Sequence, residues 1–258
     1  MGKSDKKRIL LKIGTNVLTK ETNNISRGKI EDIARQIVAL KDDYEFIIVS
    51  SGAIAAAKQF VNLESNGKEI NVKQALASIG QPHLMRIFQE NFRELGLLTS
   101  QCLLSYSDFE KKQSKKNIVN TINVLVENNY IPIINENDTV ATDEIKFGDN
   151  DKLSALTAVL LDVDLFIIAT NTNGIYTKES MNSNEAKTIT KSSDIQSLKT
   201  QIEKSISNGG TGGMKTKIEA AEIAQKHNIE TWILNGLNDD FMIDAIQDTT
   251  KFTKIITA

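Results

Sequence analysis

A lysine interrupts an otherwise apolar run near the N-terminus, and its neighbours are small: Lys12-Ile13-Gly14-Thr15-Asn16. Burying an ammonium group is costly unless it meets an anion, so Lys12 is a candidate ligand for phosphate oxygens. Gly14 would let the backbone come close to a ligand. The alternative is an edge-strand lysine whose stem lies on apolar surface and whose head reaches water. A second candidate is Ser50-Ser51-Gly52-Ala53-Ile54-Ala55, where small residues stand between an apolar run and a helical one. Free backbone N–H groups at such a helix start accept carboxylate or phosphate. Capping by Ser50 or Ser51 would account for a serine, but not for the run of small side chains that follows.

Two polar clusters come next, Asn135-Glu136-Asn137-Asp138 and Gly148-Asp149-Asn150-Asp151. Carboxylates here could receive an amino group. Several acids beside bound phosphate would repel it unless lysines or Mg²⁺ intervene. A turn-rich surface loop would use the same residue types, and the twelve-residue calcium-loop spacing is absent. Further on, Gly209, Gly210, Gly212 and Gly213 put four glycines in five positions, just ahead of Met214-Lys215-Thr216-Lys217. Backbone N–H groups of such a loop can cradle phosphate. The order of residues is neither that of a Walker A loop nor G-x-G-x-x-G. A flexible linker is the competing reading, but lysines are disfavoured in a helix's first turn unless an anion is near. Thr170-Asn171-Thr172-Asn173-Gly174 is either a nucleotide contact or a polar turn.

The elements that must position these residues alternate along the chain. Strand-like apolar runs fall at 8–13, 44–49, 97–104, 131–134, 164–169 and 230–234, with a last one near 252–256. Helical periodicity appears at 29–41, 53–60, from Leu84 through Leu95, across Ile118 to Val126, and at 152–161, 215–227 and near 240–246. Pro82 reads as the start signal of the Leu84 helix. Residues 135–139 read as a polar stretch after the 131–134 strand. Residues 140–147 suggest an outlying hairpin, and 171–207 a loop-rich region with a helix near 194–204. This order predicts a mainly parallel sheet with helices on both faces, whose ligands gather at the carboxyl ends of the strands. No internal repeat or linker divides the chain, so one domain over residues 1–258 is expected.

Composition narrows the classes. Lys and Arg number 31 against 33 Asp and Glu, and this balance argues against a general grip on nucleic acid or anionic membrane. The basic runs at 3–8 and 111–116 read as solvated segments. With Cys102 as the only cysteine and His83 and His227 as the only histidines, no disulfide, thiolate cluster or metal-binding spacing is available, so no protein-held metal site is expected. No apolar run approaches a membrane span or a signal peptide, and a cytoplasmic protein is expected.

Taken jointly, the runs LLKIGTNVLT, IVSSGAIAAA, IPIINENDTVATDEIKFGDNDKLSA and NGGTGGMKTKIEAA resemble the amino acid kinase family, and within it the glutamate 5-kinases. The resemblance extends over essentially the whole chain. It implies an αβα sandwich around a mainly parallel sheet, and ATP-dependent phosphorylation of the glutamate side-chain carboxylate, the first step of proline synthesis. By the same resemblance Lys12, Asp151 and Lys217 are catalytic, with Asp151 holding the lysines in register. Ser51, Gly52, Asp138, Asp149 and Asn150 are on the glutamate side. The ATP side comprises Lys12, Gly14, Thr170, Asn171, Thr211, Gly212, Gly213, Met214, Lys215, Thr216 and Lys217. Mg²⁺ is expected to arrive with the nucleotide. Members of the family often carry aspartate where Asn171 stands, and a glycine is more usual after the SGAIAA run than Ala57-Lys58. Many add a C-terminal PUA domain, which this chain is expected to lack. Proline as a feedback inhibitor and homo-oligomerisation are further family traits.

Overall fold

The computed structural model describes residues 6–63, 70–140, 150–177, 187–206 and 213–257. β1 (Lys7–Ile13) lies inside the sheet, paired in parallel with β2 (Tyr44–Ser50) on one side and β5 (Leu165–Thr170) on the other. Both faces of these strands are covered, which is why they read as continuous apolar runs. The sheet continues through β4 (Tyr130–Glu136) to β3 (Leu98–Leu104) at one edge. On the other side β5 pairs with β7 (Glu230–Asn235), followed by β8 (Thr253–Ile255) and β6 (Lys191–Ser192). The strand order is β3-β4-β2-β1-β5-β7-β8-β6, and among the described strands only the β7–β8 pairing is antiparallel.

Side chains alternate across a strand, and in β1 this parity decides the chemistry. Ile9, Leu11 and Ile13 enter one core layer, with Ile30, Ile33 and Ile37 of α2 (Arg27–Leu40) and Phe88 and Phe92 of α4 (Ile70–Glu94). Leu10 enters the other, with Leu153 of α6 (Asp151–Leu160) and Ile218 of α8 (Gly213–Gln225). Lys12 shares the parity of Leu10 and so faces α6 and α8. It is 2% exposed on an inner strand, which removes the edge-strand reading.

Two expectations need correction. Pro82 does not start a helix: α4 runs from Ile70 to Glu94 and contains it. An interior proline costs about 3 kcal/mol in a helix, but the turns before it are held by packing on α3 (Ala53–Lys58). There Gly80 lies so close that a Cβ would fall 1.8 Å from the Ala53 carbonyl oxygen. Similarly, Asn135 and Glu136 are not in a loop; β4 continues through both and buries them. The basic residues at 112–116 belong to α5 (Lys112–Glu127), of which Lys112, Lys115 and Lys116 are exposed. Of the suggested hairpin only Val140 lies within the described residues. The helix expected near 194–204 is α7 (Ile195–Ile206), and that near 240–246 is α9 (Phe241–Ile246). One further helical turn, α1 (Thr15–Leu18), follows β1 directly.

The connections from β1 to β2 and from β4 to β5 leave in opposite directions across the sheet. A crevice therefore opens at the carboxyl ends of β1 and β5, the usual ligand position in open α/β sheets.

Candidate active site

Asp151 is the first residue of α6, where a carboxylate complements the positive helix end. Its two oxygens are shared between two ammonium groups from distant segments. Lys12 Nζ lies 2.5 Å from Oδ1, and Lys217 Nζ, one turn into α8, donates to Oδ2 at 3.0 Å. Thr216 Oγ1 donates to the same Oδ2 at 2.8 Å, and Lys217 also donates to the Gly213 carbonyl at 3.0 Å. Asp151 is fully buried and Lys217 is 8% exposed. Two cations on one anion leave a net positive charge at the strand ends. In a partly dry site such a charge binds phosphate oxygens far more strongly than in water.

Next to this clasp stands a cleft of about 750 Å³. Ser51, Gly52, Asp138 and Asn150 line it together with Asn135 and Glu136. Its floor is set by hydrogen bonds between strand ends. The Ser51 amide donates to the Ile13 carbonyl at 3.2 Å. Asn150 Nδ2 donates to the Ser50 carbonyl at 2.8 Å and to Asn135 Oδ1 at 2.7 Å, and Asn135 Nδ2 donates to Gln81 Oε1 at 2.7 Å. Gly52 precedes α3 with φ of 99°, a left-handed conformation that favours glycine. Because Asn150 is adjacent to Asp151, the cleft and the lysine clasp are neighbours along a single turn of chain. A molecule with a carboxylate directed at the clasp and an amino group near the Asp138 and Glu136 carboxylates fits this distribution of charge.

The expected residues are thus largely brought together. Thr170 ends β5, and Gly14 caps α1 beside Lys12. Gly213 and Thr216 support the clasp directly. Met214 packs on the core layer beneath α8, whereas Lys215 turns to the surface, 4.0 Å from Glu219. Asn171 follows β5, and its Nδ2 donates to Glu21 Oε1 at 2.9 Å. Asp149, Thr211 and Gly212 lie outside the described residues. Sequence reasoning missed Gln81, which braces Asn135, and the cleft-lining Lys58, Lys73, Thr19 and Thr22. Gln81 follows a glycine inside an apolar helical pattern, a mark of tight packing; no comparable signal accompanied Thr19 or Thr22.

Fold and site together define a kinase of small acids, and the chain belongs to the amino acid kinase family, which it matches over residues 7–235. It is 38% identical over 249 residues to the glutamate 5-kinase of Alkaliphilus oremlandii, covering 96% of this chain and 95% of that one. It is also 38% identical over 248 residues to the glutamate 5-kinase of Streptococcus pneumoniae strain Hungary19A-6; that alignment takes in 94% of this chain and 66% of the longer relative. Among solved structures, carbamate kinase from Giardia lamblia bound to AMP-PNP superposes with a TM-score of 0.67 at 17% identity, over 99% of this chain and all of that one, which shows the shared fold.

Proposed function

We propose that the chain transfers the γ-phosphoryl group of ATP to the side-chain carboxylate of glutamate, forming γ-glutamyl phosphate and ADP. The observation that carries this reading is the buried Asp151 with Lys12 and Lys217 on its two oxygens, next to a cleft that carries both carboxylates (Glu136, Asp138) and ammonium groups (Lys58, Lys73). The chemistry asks mainly for charge compensation, because an anionic acceptor must approach an anionic phosphoryl group. Lys12 offsets charge on the phosphoryl oxygens and Lys217 on the departing ADP, while Asp151 holds both ammonium groups apart and in register. No general base is required, since a glutamate carboxylate with a pKa of about 4.3 is already ionised near neutral pH. Ser51, Gly52, Asp138, Asp149 and Asn150 hold the acceptor, and Thr170, Asn171 and the 211–217 segment hold the nucleotide.

Mg²⁺ would accompany ATP as part of the substrate. Its ligands would come largely from the phosphates and water, since this ion dehydrates reluctantly. The family resemblance is the support for one kinase domain, for cytoplasmic action, for a homo-oligomer and for proline as a feedback ligand. No described helix is long and apolar enough to cross a membrane.

The test is ADP release with glutamate, aspartate, N-acetylglutamate, carbamate and a nucleoside monophosphate, each with hydroxylamine present to trap an acyl phosphate. Turnover and a hydroxamate are expected with glutamate. An inert glutamate alongside turnover of another acceptor would overturn the assignment.

A further inference from the structure

The segment between α1 and α2 lines the acceptor cleft and also contacts the chain just after β5 and β7. Thr19, Thr22 and Asn23 line the acceptor cleft. Between them, Lys20 and Glu21 contact other parts of the chain: Glu21 Oε1 accepts from Asn171 Nδ2 at 2.9 Å, and Lys20 Nζ stands 3.7 Å from Asp239 Oδ1. Asn171 follows β5, and Asp239 lies in the connection after β7. These two strand ends are joined by the Gly236 amide donating to the Thr170 carbonyl at 2.8 Å.

The segment is tightly specified. Lys20 and Glu21 both have positive φ, 46° and 59°, a conformation uncommon for non-glycine residues and found where surrounding contacts enforce it. The Glu21 amide donates to the Asn16 carbonyl at 2.9 Å, and Thr22 Oγ1 donates to the Thr19 carbonyl at 2.6 Å. A displacement of Glu21 is therefore passed to Thr19 and Thr22 within one turn of chain, with no long lever in between.

We infer that Glu21 is a positioning residue which, through Asn171, couples occupancy of the nucleotide side to the shape of the acceptor cleft. The inference rests on the glutamate kinase reading of that cleft and, within the same reading, on Asn171 holding the nucleotide. A nucleotide that orders Asn171 also orders Glu21, and with it the cleft wall, so nucleotide and acceptor tighten each other's binding. By linkage the coupling is reciprocal. The contact is also specific to an amide at 171, because a carboxylate there would meet the Glu21 carboxylate at hydrogen-bond distance and repel it.

The experiment measures glutamate affinity of the full chain by calorimetry, with and without saturating AMP-PNP. The native chain is expected to gain about fivefold in affinity, the lower end of common coupling strengths. Glu21→Ala should bring that factor close to one without changing the melting temperature. Asn171→Asp should weaken coupling likewise, and adding Glu21→Gln to it should restore most of the loss. A native factor of one, or a factor unchanged by Glu21→Ala, overturns the inference. So does failure of the double variant to recover. Absence of any glutamate binding by the native chain would instead remove the glutamate reading itself.

Discussion

Asp151 holds one negative charge between two ammonium groups, so the three side chains cannot be altered independently. Lys217→Ala removes the cation assigned to the departing ADP but leaves Lys12 paired and the cleft intact. Turnover should fall by about 10²–10³, the usual loss for one preorganised charge-stabilising group, while calorimetry still detects glutamate binding. Unchanged turnover would remove Lys217 from the chemistry. Asp151→Asn has a different signature. It leaves two buried cations facing each other, and breaking a buried pair costs about 3–5 kcal/mol, which urea unfolding of the variant should register beside the loss of activity. The identity of these residues was legible in the sequence, since a lysine in an apolar strand and lysines opening a helix both ask for an anion. Their partner was not legible from spacing or periodicity: the family resemblance implied Asp151, and the fold shows the contacts, with Lys12 on one carboxylate oxygen and Lys217 on the other.

The helices contribute by bringing strand ends to fixed places. Gly80 marks where α4 crosses α3, and a methyl group there would collide with the Ala53 carbonyl oxygen and the Ala57 amide nitrogen, at 1.8 and 2.7 Å. Gly80→Ala should therefore destabilise the protein by at least about 1–3 kcal/mol. It should also raise the KM for glutamate more than that for ATP, because α3 begins at Gly52 in the cleft; equal effects on both would argue against this role of the crossing. A separate strut joins α2 to the connection after β7. Lys29, fully buried, donates to Asp32 at 2.9 Å, to the Asn238 carbonyl at 2.8 Å and to Asp239 at 3.2 Å. The Lys29 hydrogen bond and charge hold the Asp239 carboxyl below the ordinary aspartate value. A depressed folded-state pKa contributes stability above the unfolded value and loses it as pH falls through the folded one. Asp239→Asn should thus lower the urea midpoint at pH 7, by a difference that shrinks as pH falls below the ordinary aspartate value of about 3.9. A difference that persists in acid would exclude this ion pair as its source.

At the scale of the molecule, the site exists because the connections after β1 and β5 run to opposite sides of a parallel sheet and leave a crevice at the ends of these strands. Neither half-site belongs to one element: the clasp joins β1, α6 and α8, and the cleft draws on α1, the turn after β2, α3, α4, β4 and the residue before α6. Ligand binding should therefore stabilise the whole fold. With AMP-PNP at about a hundred times its dissociation constant, stability should rise by about 2.7 kcal/mol, read as a shift in the urea midpoint. Lys12→Met should lose most of that gain. An equal gain in the variant would show that the nucleotide does not rely on Lys12.

By itself the sequence determined the order of strands and helices, the parallel sheet and the residue types of the site. Buried strands and amphipathic helices have local periods, and small or charged residues stand out against them. It did not determine the extent of α4 or β4. At Pro82 the local cost of an interior proline was outweighed by packing against α3, and at Asn135 and Glu136 polar residues were kept in a strand by partners such as Gln81, 54 positions away in the case of Asn135. Nor did local pattern disclose that Lys12 and Lys217, far apart in the chain, share one carboxylate, which the family resemblance alone had implied. Such pairing depends on which face of β1 the helices α6 and α8 cover, and only the tertiary structure decides that.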